Sequence, residues 1–252
     1  MRLNPHYPPW YLIELGWAYR WTGRYAEAIT TLQELISRSP NFLHAHANLA
    51  GSYVLQWASQ QSMDAQMLTQ AVAAVQRALA LNDSYPGGHV VLGSVYLWQK
   101  QYEQALAETE RAIALDPDQA NGYAGRAEIL SRVGRPDEAL GMVEQALRRK
   151  PDTAAYHLAS VGSTYELAGR PEEAVAPLKQ YLTHYPNILS AHLTLAAVYS
   201  ELGKDAEARA EAAEVLRLNP KFSLEVHKER VPIKDPVRLE RHIGALRKAG
   251  LK

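Results

Sequence analysis

Prolines that recur every 34 or 35 residues are the feature that most constrains the fold of this 252-residue chain. Pro117 is followed by Pro151 after 34 residues, by Pro186 after 35 more, and by Pro220 after a further 34. A period of this length marks one supersecondary unit repeated along the chain. Because one unit cannot bury its apolar face alone, neighbouring units must stack on one another. The sequence therefore predicts a superhelical repeat architecture.

Each period is predicted to hold two helices that approach closely. In the stretch HVVLGSVYLWQKQYEQALAETERAIALDP, residues 89–117, apolar residues fall at three- and four-residue spacing in two segments. Glycines such as Gly169 and Gly203 stand just after first helices, where a left-handed residue ends a helix at low cost. The closing proline cannot continue the second helix. Small residues that recur at one position of each helix, Gly16 and Ala28 in the first unit, allow the close approach.

The recurring order of Leu-Gly, Tyr, Ala, an apolar residue and Pro resembles the tetratricopeptide repeat. In the first unit it falls on Leu12, Leu15, Gly16, Tyr19, Ala28, Leu32 and Pro40. The resemblance implies an all-α, right-handed superhelical solenoid of helix-turn-helix units, closed by C-terminal capping helices. It divides residues 9–220 into six units, followed by a cap at 221–252; the units are 9–42, 43–85, 86–119, 120–154, 155–188 and 189–220.

The chain begins with a sequence that ends the sixth unit. Arg-Leu-Asn-Pro stands at residues 2–5 and again at residues 217–220. Since the second copy closes a second helix, residues 1–8 are interpreted as the remnant of a preceding repeat.

The second unit carries an insertion near residues 57–66. Tyr96 and Ala105 of the third unit are nine positions apart, whereas Tyr53 and Ala71 of the second are eighteen apart. The inserted segment has neither Pro nor Gly, so both helices are expected to lengthen by about one turn and to meet near residues 61–62, with Ser62 as a cap. The hairpin should then protrude. It is either a tolerated extension or a projection that contacts a partner through Trp57, Met63 and Met67.

The tail after Pro220 departs from the repeat. Ser223 is predicted to cap a short helix that ends at Arg230, and Asp235 followed by Pro236 predicts the start of another helix. Leu239, Ile243 and Leu246 share one face of that second helix and should pack on the last repeat. From Lys221 onward the tail carries nine Lys/Arg and four Asp/Glu, a net charge of +5. This charge is explained either by a solvated outer face or by an anionic partner.

The tail carries a second resemblance. It is similar to the segment that closes tetratricopeptide regions in bacterial multidomain regulators, such as class III adenylate or guanylate cyclases. That likeness spans some thirty residues and implies a regulatory module.

The sequence favours no enzymatic chemistry. The absence of cysteine excludes disulfides and thiol catalysis, and no metalloprotease, hydrolase or dinucleotide-binding motif occurs. His46, His89 and His192 occupy one repeat position and are interpreted as packing residues, so no metal or other cofactor is expected. The formal charge is zero and no run of about 18 apolar residues exists, which argues against nucleic-acid and membrane partners. A cytoplasmic location is expected.

The resemblance implies that first-helix residues line a concave groove. The candidate partner-binding residues are Trp10, Ile13, Trp17, Arg20, Trp21, Val54, Trp98, Glu128, Arg132, Tyr156 and Glu166. Chaperone-binding members of the family grip a peptide's terminal carboxylates with Lys, Asn and Arg at such positions. Here Lys is absent from these positions and Arg is sparse, so that mode of binding is not expected. Exposed tryptophans mark interaction sites, although these could instead pack against a preceding repeat or between helices.

The function predicted from these features is a non-enzymatic scaffold that binds a peptide or helix in the groove. The partner would be a protein segment, an upstream domain of the same polypeptide, or a second copy of the chain. The alternative is a regulatory or oligomerisation module of a larger bacterial signalling enzyme or transcription regulator.

Overall fold

Paired helices account for most of the described residues. A computed structural model describes residues 8–149 and 154–252, without the side chains of residues 154–156. Within these ranges six helical hairpins follow one another: α1 (Pro9–Trp21) with α2 (Tyr25–Arg38), α3 (Leu43–Ala58) with α4 (Met67–Leu81), α5 (Pro86–Trp98) with α6 (Tyr102–Leu115), α7 (Ala120–Arg132) with α8 (Pro136–Arg149), α9 (Ala154–Leu167) with α10 (Pro171–His184), and α11 (Leu189–Glu201) with α12 (Asp205–Leu218). Two more helices, α13 (Leu224–Arg230) and α14 (Pro236–Lys248), end the chain. The described residues form no strand, and the prediction of an all-α helical repeat solenoid is confirmed.

Close helix contact inside a hairpin explains the glycine of the repeat. A Cβ atom placed on Gly162 of α9 would lie 2.4 Å from Cγ of Leu178 on α10, and Leu178 is fully buried. The turn between these helices needs glycine for another reason, since Gly169 has φ +75°. Each hairpin therefore depends on one glycine or alanine for contact and, in most units, on one glycine for its turn.

A recurring polar position ties four of the six units to the linker before them. The ring nitrogens of three histidines and the hydroxyl of one tyrosine each lie within hydrogen-bond distance of the carbonyl oxygen six residues earlier. The pairs are His46–Pro40 at 2.8 Å, His89–Asp83 at 2.9 Å, Tyr123–Pro117 at 3.1 Å and His192–Pro186 at 3.0 Å. This contact gives the recurring histidines a structural role, as the packing interpretation expected.

The stacked hairpins curve until the first two units meet the fifth and sixth. The ring centroids of Trp21 and Tyr185 lie 4.8 Å apart, and Asn219 Nδ2 donates to the Ser59 carbonyl oxygen at 3.0 Å. The solenoid therefore closes into a ring with its six first helices on the inside.

The C-terminal residues 221–252, here called the plug, cross one end of this ring. Four of their groups donate to carbonyl oxygens at the C-terminal ends of different first helices. The pairs are Arg230 to Trp57 at 2.8 Å, Lys234 N to Arg132 at 2.8 Å, Arg238 to Leu167 at 3.0 Å and Lys248 to Ser200 at 3.3 Å. Such carbonyls lack intrahelical partners and carry partial negative charge. Part of the basic charge of the tail is thus directed at the ring, through Arg230, Arg238 and Lys248, whereas Lys221, Arg247 and Lys252 lie at exposed positions, as a solvated outer face predicts.

The local predictions for the plug are confirmed. Ser223 Oγ accepts from Val226 N at the start of α13, and Asp235 Oδ1 accepts from Val237 N at the start of α14. Ile243 and Leu246 are fully buried against α11 and α12, with Leu239 packed beside them.

The insertion does not protrude as two lengthened helices. The first helix, α3, is extended to 16 residues, but α4 begins only at Met67, and residues 59–66 form a loop. Ser62 does not cap α4; its hydroxyl accepts from Asp64 N at 3.1 Å. The prediction of a projecting hairpin was wrong because the insertion folds onto the plug. Near the end of α3, the guanidinium of the plug residue Arg230 lies 3.5 Å from the centre of the Trp57 ring.

Gln60 fastens the insertion to the plug. Its backbone has φ +57°, and its side chain is 7% exposed. The side-chain amide donates to Ser223 O and accepts from Ser223 N, each at 2.9 Å.

The change Gln60→Glu tests this attachment. A carboxylate can still accept from Ser223 N but would face the Ser223 carbonyl oxygen without a proton, so unfolding free energy should fall by about 1–3 kcal/mol. Gln66→Glu, at an exposed position at the start of α4, is the matched control and should cost nothing. Equal denaturant midpoints for the two variants would contradict the proposed attachment.

A buried polar chain joins the plug to α9. His227 Nε2 lies 3.1 Å from His242 Nε2, and His242 Nδ1 lies 3.1 Å from Glu166 Oε1. All three side chains are buried. Burial, with His242 and Arg132 nearby, lowers the pKa of His227 well below 6.5.

Acid should therefore weaken the fold through His227. Below about pH 6.5 the unfolded chain takes up a proton that the folded chain resists, so stability falls as pH decreases, by at most about 1.4 kcal/mol per pH unit. His227→Gln should flatten this dependence between pH 6.5 and pH 5 in urea unfolding. His184→Gln, at an exposed position on α10, should follow the wild-type curve. Parallel curves for wild type and His227→Gln would refute this role of His227.

Candidate functional site

The ring encloses a central cavity of about 700 Å³. Its wall consists mainly of the inner faces of α1, α3, α5, α7, α9 and α11, because the repeat geometry turns the first helix of every hairpin inward. Tyr25 of α2 and Tyr181 of α10 complete the wall where the first unit meets the fifth.

The cavity brings together seven of the residues that the sequence indicated. They are Trp17, Arg20, Trp21, Val54, Trp98, Glu128 and Arg132. They come from α1, α3, α5 and α7, so the ring gathers side chains separated by more than a hundred positions in the chain.

Three predicted groove residues with described side chains are not found in this wall. Trp10 is 63% exposed on the first turn of α1, beside Tyr11, and Ile13 is buried in the core of the first three units. Glu166 is buried beneath the plug, where it meets His242, so it is unavailable to a partner. The side chain of Tyr156 lies outside the described residues.

The plug covers two glutamates of the fifth and sixth first helices. Besides Glu166, Glu201 lies 3.1 Å from Arg241 of α14, and burial raises the pKa of Glu201. The sequence could not show this, because both glutamates satisfy the groove pattern of their own units.

Aromatic and apolar side chains dominate one side of the cavity. Trp17 is 40% exposed and Trp98 half-buried, and Val54 and Leu97 pack behind them. The indole of Trp21 lies against Tyr185, where the two ends of the closed solenoid meet.

One asparagine organises the polar side near α1. Asn48 Oδ1 accepts from Trp17 Nε1 at 2.7 Å and from Arg20 Nη1 at 2.6 Å. Asn48 Nδ2 in turn donates to the His44 carbonyl oxygen at 2.8 Å, which fixes the amide orientation.

The two arginines of the cavity differ in their partners. Arg132 lies 3.3 Å from Glu128, one turn earlier on α7, and its guanidinium lies 5.9 Å from the Trp98 ring. Arg20 has no carboxylate within salt-bridge distance among the described residues, and its buried Nε has no hydrogen-bond partner there. Burial lowers the pKa of Arg20, with Tyr25 and Tyr181 opposing the shift.

The two tyrosines near Arg20 stay neutral at physiological pH. Burial raises the pKa of Tyr25 to about 12, and burial also raises the pKa of Tyr181. Neither phenol therefore supplies a negative charge to Arg20.

The two ends of the cavity differ in the described part of the chain. The plug covers the end at which the first helices terminate, and Tyr85, Gln119 and Ile188 line the cavity at the end where α5, α7 and α11 begin.

Sequence reasoning missed several residues of the site. Tyr25 and Tyr181 lie on second helices, which the family pattern places outside the groove, and they reach the cavity only because the ring closes. Asn48 also escaped notice, although Asn48, Gly51 and the predicted groove residue Val54 follow one another at three-residue spacing on α3 and all line the cavity.

Sequence comparison identifies one kind of repeat along the chain. A sequence profile of the tetratricopeptide repeat matches residues 62–129, 99–160 and 167–228, and a second profile of this repeat matches residues 12–41. No curated protein sequence matches the chain significantly.

Solved structures share the fold at low sequence identity. A thermophilic tetratricopeptide repeat protein of Thermus thermophilus, TTC0263, is 22% identical over 76% of this chain and 98% of its own, with a TM-score of 0.59. Human IFIT1, solved as a dimer with m7Gppp-AAAA, is 19% identical over 99% of this chain and 61% of its own, with a TM-score of 0.68. A chain of the APC/C hetero-tetramer Cut9–Hcn1 is 17% identical over 95% of this chain and 42% of its own, with a TM-score of 0.61.

None of the described helices combines the length and the apolar character that a membrane-spanning helix requires.

Proposed function

Because this chain belongs to the tetratricopeptide repeat family, we propose that it is a non-enzymatic interaction module that holds a segment of a partner protein in its central cavity. The observation that carries the proposal is the convergence of Trp17, Trp21 and Trp98 on one cavity. Tryptophan is among the residues that contribute most to binding energy at protein interfaces.

The size and lining of the cavity support this proposal. A volume of about 700 Å³ lies within the usual range for pockets that enclose a ligand. Apolar walls combined with a few oriented polar groups, here Asn48 and Arg20, suit an occupant that buries apolar side chains and fixes its register through a small number of polar contacts.

The covered end limits the form of the occupant. A long helix or strand cannot pass through a ring whose far end is crossed by α13 and α14. We therefore favour a short segment, either a chain end or the tip of a loop, over the long helix that the sequence also allowed. An upstream domain of the same polypeptide and a second copy of the chain are possible sources of that segment.

Replacement of Trp17 and Trp98 by alanine tests the proposal. With an array of random octapeptides as the probe, the double variant should lose at least tenfold in signal on the peptides that wild type binds, because two aromatic anchors are removed. Trp10→Ala is the matched control, since Trp10 is exposed outside the cavity.

Thermal unfolding of each variant separates binding from folding, because Trp98 also contacts the core of the first three units. Peptide binding that survives in a folded double variant, or that Trp10→Ala reduces equally, would exclude the cavity as the binding site.

A further inference from the structure

Arg230 of the plug is a nearly buried cation without a carboxylate partner. The residue is 9% exposed, and its guanidinium lies 3.5 Å from the centre of the Trp57 ring. Nη1 donates to the carbonyl oxygens of Trp57 and Ser62, at 2.8 and 3.1 Å. Among the described residues no carboxylate lies within salt-bridge distance of Arg230, and no group accepts from its Nε. The guanidinium therefore joins the insertion to the plug with hydrogen-bonding capacity left over.

A thioether occupies the place where an oxygen acceptor would satisfy this guanidinium. Arg230 Nη2 lies 3.1 Å from Met63 Sδ, at the tip of the insertion loop. Thioether sulfur is a weak hydrogen-bond acceptor, whereas the strong hydrogen bonds of a guanidinium are made to oxygen. Nη2 is thus directed at an atom that satisfies it poorly. An oxygen on that sulfur would strengthen the join between the insertion and the plug.

Met63 is also the most exposed methionine of the described residues. It is 65% exposed, whereas Met67 and Met142 are half-buried and pack against hydrophobic clusters. An open pocket of about 350 Å³ is lined by Met63, Arg230 and Trp98, among others, and leaves room for an added atom beside the sulfur. The chain has no cysteine, so a peroxide finds sulfur only in the four methionines.

The join on which Met63 acts is reinforced at two strained turns. The turn after the first helix holds a glycine with positive φ in four units, but the second and third units place Gln60 and Lys100 there, with φ +57° and +60°. Both side chains reach the segment around α13: Gln60 holds Ser223, and Lys100 Nζ donates to the Glu229 carbonyl oxygen at 2.8 Å. A left-handed conformation without glycine costs energy. The contacts with the plug offset this cost.

We propose that Met63 is a site of reversible oxidation, and that its sulfoxide oxygen accepts from Arg230 and fastens the insertion to the plug. The oxidant is a hydroperoxide such as hydrogen peroxide. A sulfur lone pair attacks one peroxide oxygen, and the S–O bond forms as the O–O bond breaks. The departing hydroxide takes the proton of the transferred oxygen and leaves as water. The sulfur loses two electrons and the peroxide gains them; methionine sulfoxide reductases reverse the change.

The geometry gives this oxidation an effect opposite to that of oxidation in a core. There, a sulfoxide places a polar group among apolar side chains and disrupts their packing. Met63 is largely exposed, and its sulfoxide replaces a weak acceptor by a strong one that faces a cation. Three rotatable bonds allow the sulfur to withdraw and to turn the new oxygen toward Nη2. Oxidation of Met63 therefore stabilises the closed ring.

Thermal unfolding before and after peroxide treatment tests the proposal. Hydrogen peroxide is added to the full chain until peptide mass mapping shows that Met63 has gained an oxygen while Met67 and Met142 have not. The unfolding midpoint should then rise by about 2–4 °C, the shift that one gained charge-assisted hydrogen bond produces in a chain of this size. Methionine sulfoxide reductases of both stereospecificities should return the midpoint to its starting value.

Two variants serve as matched controls. Met63→Leu keeps the other three methionines but lacks the acceptor sulfur, so peroxide should leave its midpoint unchanged. Met63→Gln places a carbonyl oxygen at a similar distance from the backbone. Without peroxide, Met63→Gln should unfold at a higher temperature than Met63→Leu, because the guanidinium gains an oxygen acceptor.

Four results would overturn the proposal. They are oxidation of Met67 or Met142 before Met63, a wild-type midpoint that stays constant or falls once Met63 is oxidised, an equal rise in peroxide-treated Met63→Leu, and a Met63→Gln midpoint no higher than that of Met63→Leu. None of these measurements depends on the proposed binding of a protein segment in the central cavity.

Discussion

The carbonyl oxygens at the C-terminal ends of the first helices, which have no partner within the regular helical ladder, are the constraint on which the rest of the structure depends. A solenoid of hairpins brings these ends to one edge, where partial negative charge accumulates. The plug meets them with Arg230, Arg238 and Lys248 and with a backbone N–H. Because these contacts span the second to sixth units, they fix the curvature of the whole array. The cavity exists in its present form because this edge is held together.

The features predicted correctly from sequence are those decided by nearby residues. Hairpin periodicity, the glycine at Gly162 and the caps at Ser223 and Asp235 each depend on a few positions within one or two turns of helix. Those signals are strong because a wrong residue there has an immediate steric or hydrogen-bonding cost. They establish the all-α solenoid without reference to how far it curves.

The features that were not predicted correctly from sequence depend instead on residues far apart in the chain. The fate of Glu166, the position of the insertion loop and the participation of Tyr181 all depend on curvature summed over six units. The small rotation between neighbouring repeats, summed along the chain, decides whether the solenoid closes into a ring or leaves an open groove. The sequence of one unit does not determine which of the two forms. Gln60 and Ser223 meet across 163 positions, so their contact is invisible to any pattern read within one period.

Ring closure also changes the solvation of a polar residue in the groove. In an open groove Arg20 would face water, and an unpaired arginine there would need no explanation. Inside a cavity walled by tryptophan and closed by the plug, the same residue is desolvated and its missing counter-ion becomes a cost to the free protein. Sites that depart from the best arrangement for stability are where function is expected. Curvature, and not the identity of the residue alone, therefore decides whether a charged residue of the groove faces water or is enclosed.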